Sequence, residues 1–199
     1  MKNKAIRKDF ELAPPGAGLP ALERGLAWTV LQGMRALLGK PRLSCWLRHE
    51  TARSIALAAS LPPDLARQRV LLPRLTGLED DSRYWSANMV LQHLVIVNGG
   101  IRQLSEMLAK NEVFGREVRI ADVKPAADAG PEQQALLRAA VDDYLALIDS
   151  LGELRSTGRH RHPWFGPLDL RGWQALSALH ATAHRRQIQQ IVELLQPGR

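Results

Sequence analysis

Two histidines, His180 and His184, stand four residues apart in a segment whose apolar positions recur with helical period, so both imidazoles fall on one face a turn apart. That arrangement suits two neighbouring positions in the coordination sphere of a metal ion. A third histidine, His93, lies far upstream on another apolar stripe, with Met89, Ile96, Gly100, Leu104 and Met107 at helical spacing. The spacing alone is a weak signal, because six histidines in 199 residues give such a pair by chance in about one of seven sequences.

Placement adds weight. Three imidazoles buried on apolar stripes without partners would carry a large cost in unmet hydrogen bonds, and a shared ion bound through neutral ring nitrogens offsets it. From periodicity alone, a shared site and three separately hydrogen-bonded histidines stand level. A three-histidine site leaves at least one position open for water or substrate, as in a catalytic centre, and an ion there can lower the pKa of a coordinated water or thiol. Gln187, one turn beyond His184, is placed either to orient a ligand imidazole or bound water from behind, or to sit exposed on the helix.

The elements that must carry these residues read as helices; strict apolar/polar alternation is absent. A first helix is expected over about Ala21–Leu38, ending at Gly39 with Pro41 beyond, and a second over about Ser44–Ser60, stopped by Pro62 and Pro63. The two are expected to pair as a hairpin. Leu61–Tyr84, with its prolines, Gly77 and the acidic run Glu79-Asp80-Asp81, reads as a surface connector. Ser86 caps a helix to about Ala109, Asn111–Gly130 is a second connector, and Pro131 opens a helix to about Leu151 with Leu136, Ala140, Tyr144, Leu147 and Leu151 on one face. A basic loop from Arg155 to Arg161 leads to the aromatic turn His162-Pro163-Trp164-Phe165-Gly166-Pro167. Asp169 then caps the last helix, to about Leu195, whose stripe is Trp173, Leu176, His180, His184, Gln187 and Ile191.

Composition bounds the function. Hydrophobic residues are 45% and charged residues 24%, as in an ordinary globular chain of one domain. The single cysteine, Cys45, excludes an internal disulfide and fits a reducing, cytoplasmic setting. The basic N-terminus, Met1–Phe10, runs into a Pro/Gly stretch and not into a signal-peptide core. The most apolar run, Leu19–Leu38, is interrupted by Glu23, Arg24, Gln32 and Arg35 and is no membrane span. The net charge of +7 would attract phosphates, but the cations are scattered and no nucleic-acid-binding motif accompanies them.

Tyr84-Trp85-Ser86 leading to Leu91-Gln92-His93-Leu94, together with the Phe165-Gly166-Pro167 turn, Trp173 and His180-x-x-x-His184-x-x-Gln187, resembles the DinB/YfiT-like family of metalloenzymes over about Ser44–Leu195. The resemblance implies an all-α fold: a DinB-like four-helix bundle with long connections. It also implies a divalent metal, zinc or nickel, on His93, His180 and His184, and for some relatives a low-molecular-weight thiol as co-substrate. Residues 1–40 are then an N-terminal extension whose one helix packs on the bundle or makes a homodimer contact, and residues 41–199 are the metal-binding bundle.

The resulting expectation is a metal-dependent transferase or hydrolase acting on a small molecule. A non-catalytic, stress-associated binding module with an empty or vestigial site is the alternative, and an electrostatic nucleic-acid binder ranks third. The remaining candidates have plain structural readings. His160 and His162 are expected as solvated loop residues before a cationic lid, and His49 as a surface residue. Trp85, Trp164 and Trp173 are expected as packing anchors. Cys45 is a nucleophile only if its pKa is depressed.

Overall fold

The computed structural model describes residues 11–112, 115, 117, 119–154 and 156–197. The basic terminus Met1–Phe10 and Arg155 of the basic loop lie outside the described residues. The chain is mostly helical: α1 (Ala21–Leu37), α2 (Lys40–Ala59), the short α3 (Pro63–Arg67), α4 (Ala87–Ala109), α5 (Gln133–Ser150) and α6 (Leu170–Leu195). Four long helices close a ring in which α2 packs on α5 and α6, and α4 packs on the same two from the opposite side. Leu43 and Leu47 of α2, Leu91, Leu94 and Leu104 of α4, Leu137 and Ile148 of α5, and Ile188 and Ile191 of α6 fill the middle and are essentially solvent-free. Burial of such side chains, at roughly 1.5–3 kcal/mol each, is the main force holding the ring closed.

The caps form where the sequence places them. The Ser86 hydroxyl accepts the Met89 amide at 3.2 Å, and an Asp169 carboxylate oxygen accepts the Gly172 amide at 2.8 Å, each satisfying a helix-start donor. Asp169 also pairs with Arg35, which ties α1 to the start of α6. The end of α5 is closed from a distance: the Lys40 ammonium donates to the carbonyls of Ile148 at 3.1 Å and Leu151 at 2.6 Å.

Several sequence expectations are corrected. Helix α2 starts at Lys40, four residues early, because Pro41 sits in its first turn, where a missing N–H costs nothing. Helix α1 packs on α6, and not on α2 as a hairpin. The buried stripe of α5 is Leu137, Val141, Tyr144, Leu145 and Ile148, one step round from the expected face, leaving Leu136 exposed. On α4, Ile96 and Gly100 border a cavity and not the packed core.

The stretch Leu61–Tyr84 is not a surface loop. It buries Leu61, Ala66, Leu72 and Leu78 and contains a ladder of β1 (Val70–Leu71) on β2 (Tyr84–Trp85), with a 3-10 turn over Asp80–Arg83. Its acidic run is used residue by residue. Glu79 accepts the amides of Gly18 at 2.8 Å and Gly16 at 3.3 Å, Asp80 accepts the amide of Ala13 at 2.9 Å and pairs with Arg83, and Asp81 pairs with Lys124. Gly16 and Gly18 have φ of +85° and +80°, which turns their amides onto the carboxylate and suits glycine. The aromatic turn is the loop of a small hairpin, β3 (His160–His162) against β4 (Gly166–Leu168), with Gly166 at φ +71°.

Candidate metal centre

Helix α4 carries His93, and helix α6, its neighbour in the ring, carries His180 and His184 on one face. The three rings meet: centroids lie 5.1 Å apart for His93 and His180, 4.5 Å for His93 and His184, and 4.4 Å for His180 and His184. One ring nitrogen from each lies within 4.8 Å of those of the other two. The Nε2 atoms of His93 and His180 are 3.1 Å apart, near the separation of about 3.3 Å expected for two imidazole nitrogens on one tetrahedral zinc ion.

Hydrogen bonds behind the rings fix which nitrogen faces inward. The Nδ1–H of His93 donates to the carbonyl of Val123 at 2.7 Å, and the Nδ1–H of His184 donates to Oε1 of Gln187 at 2.7 Å. That amide is oriented in turn, since its Nε2 donates to the carbonyl of Ser82 at 2.7 Å. Both Nε2 atoms therefore keep a lone pair towards the cluster, the donor form a divalent ion requires. Trp85 completes the surround, with its ring 5.2 Å from that of His93 and nearly parallel to that of His184, at 9°.

Electrostatics agree with neutral rings. Burial pushes the pKa of His93 down to about 4, against the opposing pull of the Val123 carbonyl. His180 lies well below the usual histidine value because of burial and then the neighbouring His184 and His93. His184 lies well below it for burial and then His93, opposed by its bond to Gln187. Such rings take a cation more readily than a proton cluster, because an ion replaces three mutually repelling charges with one shared by three lone pairs.

The cluster opens on a cavity of about 410 Å³. Leu78, Ile96, Leu104, Leu176 and Trp164 contribute apolar wall, while Glu79, Asp81, Lys124 and His162 line it from the connectors. Burial lowers the Lys124 pKa, and the Glu79 charge opposes the shift. Gln187 is fully buried, so the exposed alternative does not hold for it.

His162 departs from the solvated-loop reading: its ring is packed against Phe165 and Trp173 at the cavity. His160 is half-buried on the same strand, and its ring lies 6.2 Å from that of Trp173. The alternation His160-Arg161-His162, with Arg161 exposed between two half-buried rings, was the available sign of a strand. Trp85, Trp164 and Trp173 pack as expected but also wall the site. His49 and Cys45 are exposed, and among the described residues no hydrogen bond or ring contact links them to the three-histidine cluster.

These features define a mostly helical protein with a three-histidine cluster, two of its rings buried and one half-buried, able to bind a metal ion. Comparison with protein-family models, with curated proteins and with solved structures returns no match. Among the described residues, no helix is long and apolar enough to cross a membrane.

Proposed function

We propose that this chain is a divalent-metal-dependent enzyme of the DinB/YfiT-like type, with zinc or nickel on His93, His180 and His184 and a transferase or hydrolase reaction on a small molecule held in the adjoining cavity. The observation that carries the reading is the convergence of three inward-facing imidazole nitrogens at the wall of that cavity. The bound ion supplies Lewis-acid polarisation of whatever donor atom fills its remaining position. A low-molecular-weight thiol is a suitable donor of that kind.

The chain's own residues do the rest. Val123 and Gln187 hold His93 and His184 in the tautomer that ligates through Nε2. Trp85 shields those two rings from water. His180, half-buried where the others are buried, faces the cavity and borders the space a substrate would fill. The enzymatic reading is favoured over a non-catalytic binding module by Glu79, Asp81, Lys124 and His162 lining the same cavity, since an acid or base is within the space where chemistry would occur.

Elemental analysis of the purified chain tests the proposal. About one equivalent of zinc or nickel per chain, lost in His93→Ala and in His180→Ala with helical content unchanged, is the expected result. A chain without stoichiometric metal, whose metal content does not respond to either substitution, would overturn it.

A further inference from the structure

His162 ends strand β3, opposite Gly166, and its ring is clamped. It stacks on Phe165 at 4.9 Å with an interplanar angle of 19°, meets Trp164 edge-on at 5.8 Å and leans on Trp173 at 5.6 Å. Its Nδ1 lies 3.1 Å from the backbone nitrogen of Trp164. A backbone N–H can only donate, so Nδ1 is the acceptor and the proton of the neutral ring sits on Nε2. Burial favours that neutral ring by lowering its pKa to about 4.

The other nitrogen has no such use. Among the described residues, Nε2 of His162 has no hydrogen-bond partner. The ring nevertheless lines the cavity that His93, His180 and His184 line, close enough that its charge would be felt at His180. Most charged side chains of that wall are already engaged, Asp81 with Lys124, Glu79 with the amides of Gly16 and Gly18, and Arg119 with Asp122, while Glu117 on the same wall is exposed. A fixed donor on the cavity surface is free to be completed by an acceptor of whatever molecule occupies the cavity.

Resting on the metal-centre reading, we infer that His162 donates its Nε2–H to the ligand of the three-histidine site, and that this ligand is an apolar molecule with an oxygen or sulfur hydrogen-bond acceptor at its metal-facing end. The donor is preorganised by the hairpin and stabilises negative charge on that acceptor without a reorganisation of the protein. Leu78, Ile96, Leu104 and Leu176 supply the wall for the apolar body.

Two measurements on the full chain test this. In the zinc-loaded protein, long-range proton–nitrogen NMR of the His162 ring should find the proton on Nε2; a proton on Nδ1 overturns the inference and needs no variant. In the Co(II)-loaded protein, azide serves as a small anionic probe followed by the visible spectrum. His162→Phe should retain one Co(II) per chain and lose about tenfold in azide affinity, while His162→Gln, which returns an N–H at similar reach, should recover most of it. Azide bound equally by wild type and His162→Phe, or equally weakly by the Phe and Gln variants, sinks the inference and leaves the metal centre standing. A wild-type chain that takes up no Co(II) sinks both.

Discussion

The imidazole of His184 donates through Nδ1 to Oε1 of Gln187 at 2.7 Å, one turn along the same helix, and the same amide reaches across to the carbonyl of Ser82 at 2.7 Å. Helix α6 thus holds both a histidine of the cluster and the group that sets its tautomer, and the connector before α4 sets the group in turn. His93 is served in the same way by Val123, from the connector after α4. His162 comes from the connector after α5. Each of the three long connections therefore delivers at least one polar group to the site or to a residue that orients it.

Removing the Gln187 amide tests that relay. In Gln187→Leu the Nδ1–H of His184 and the Ser82 carbonyl both lose their partner, so metal affinity should fall about 10–100-fold. Competition against a chromophoric chelator measures it. An affinity equal to wild type would mean that His184 is oriented by packing alone.

The metal-free protein should be acid-sensitive in a defined window. His93 and His162 are lowered to about 4 in the fold, while the same side chains in the unfolded chain titrate near the ordinary value of about 6.5. Above 6.5 both states are neutral and no penalty exists. As pH falls from 6.5 towards 4 the unfolded chain binds protons that the fold refuses, so stability is lost across that interval. In chelator-treated protein the Tm should drop on the order of 5–10 °C between pH 7 and pH 5. A flat profile by thermal denaturation would contradict neutral buried rings.

Glu50 and Arg185 form an ion pair between α2 and α6 at 2.7 Å, with side chains only 8% and 12% exposed. Breaking it from one side strands a buried charge, so Glu50→Ala should cost about 3–5 kcal/mol in urea denaturation. Replacing both partners, as in Glu50→Leu with Arg185→Met, should recover most of that loss. If the single variant changes stability by less than about 1 kcal/mol, the pair is effectively solvated.

Asp169 serves two elements, capping α6 through Gly172 and pairing with Arg35 of α1. Asp169→Ala should therefore destabilise by about 0.5–2 kcal/mol through the cap and, in addition, loosen α1. Arg35→Ala should loosen α1 alone. Limited proteolysis should cut both variants faster near α1, with a lowered Tm chiefly in the first; equal Tm values for the two would remove the cap from the account.

Local signals were legible because they are carried by neighbouring residues. The helix starts at Ser86 and Asp169 depend on a side-chain oxygen reaching an amide three residues on, which sequence spacing reports directly. The starts of α4 and α6 follow for that reason, while the end of α1 at Leu37 is reported by Gly39 and Pro41 just beyond it. The face of α5 was misjudged by one position because two apolar stripes, through Leu136 and through Leu137, lie side by side, and only packing against α2 and α4 selects the second. The connectors were misjudged because prolines and acids look like surface. Glu79, Asp80 and Asp81 are instead neutralised by amides and cations far away in the chain, at Gly18, Ala13 and Lys124.

By itself, then, the sequence determined that the chain is helical, that His180 and His184 share a face, and that His93 lies on another helix facing inward, since 3.6-residue periodicity is a property of local hydrogen bonding. Tertiary structure alone decided that these three rings converge, which nitrogen each turns inward, and that His162 joins their cavity. The reason is physical: the partners that orient His93 and Gln187 are main-chain carbonyls, of Val123 and Ser82, which every residue possesses and no side-chain pattern announces.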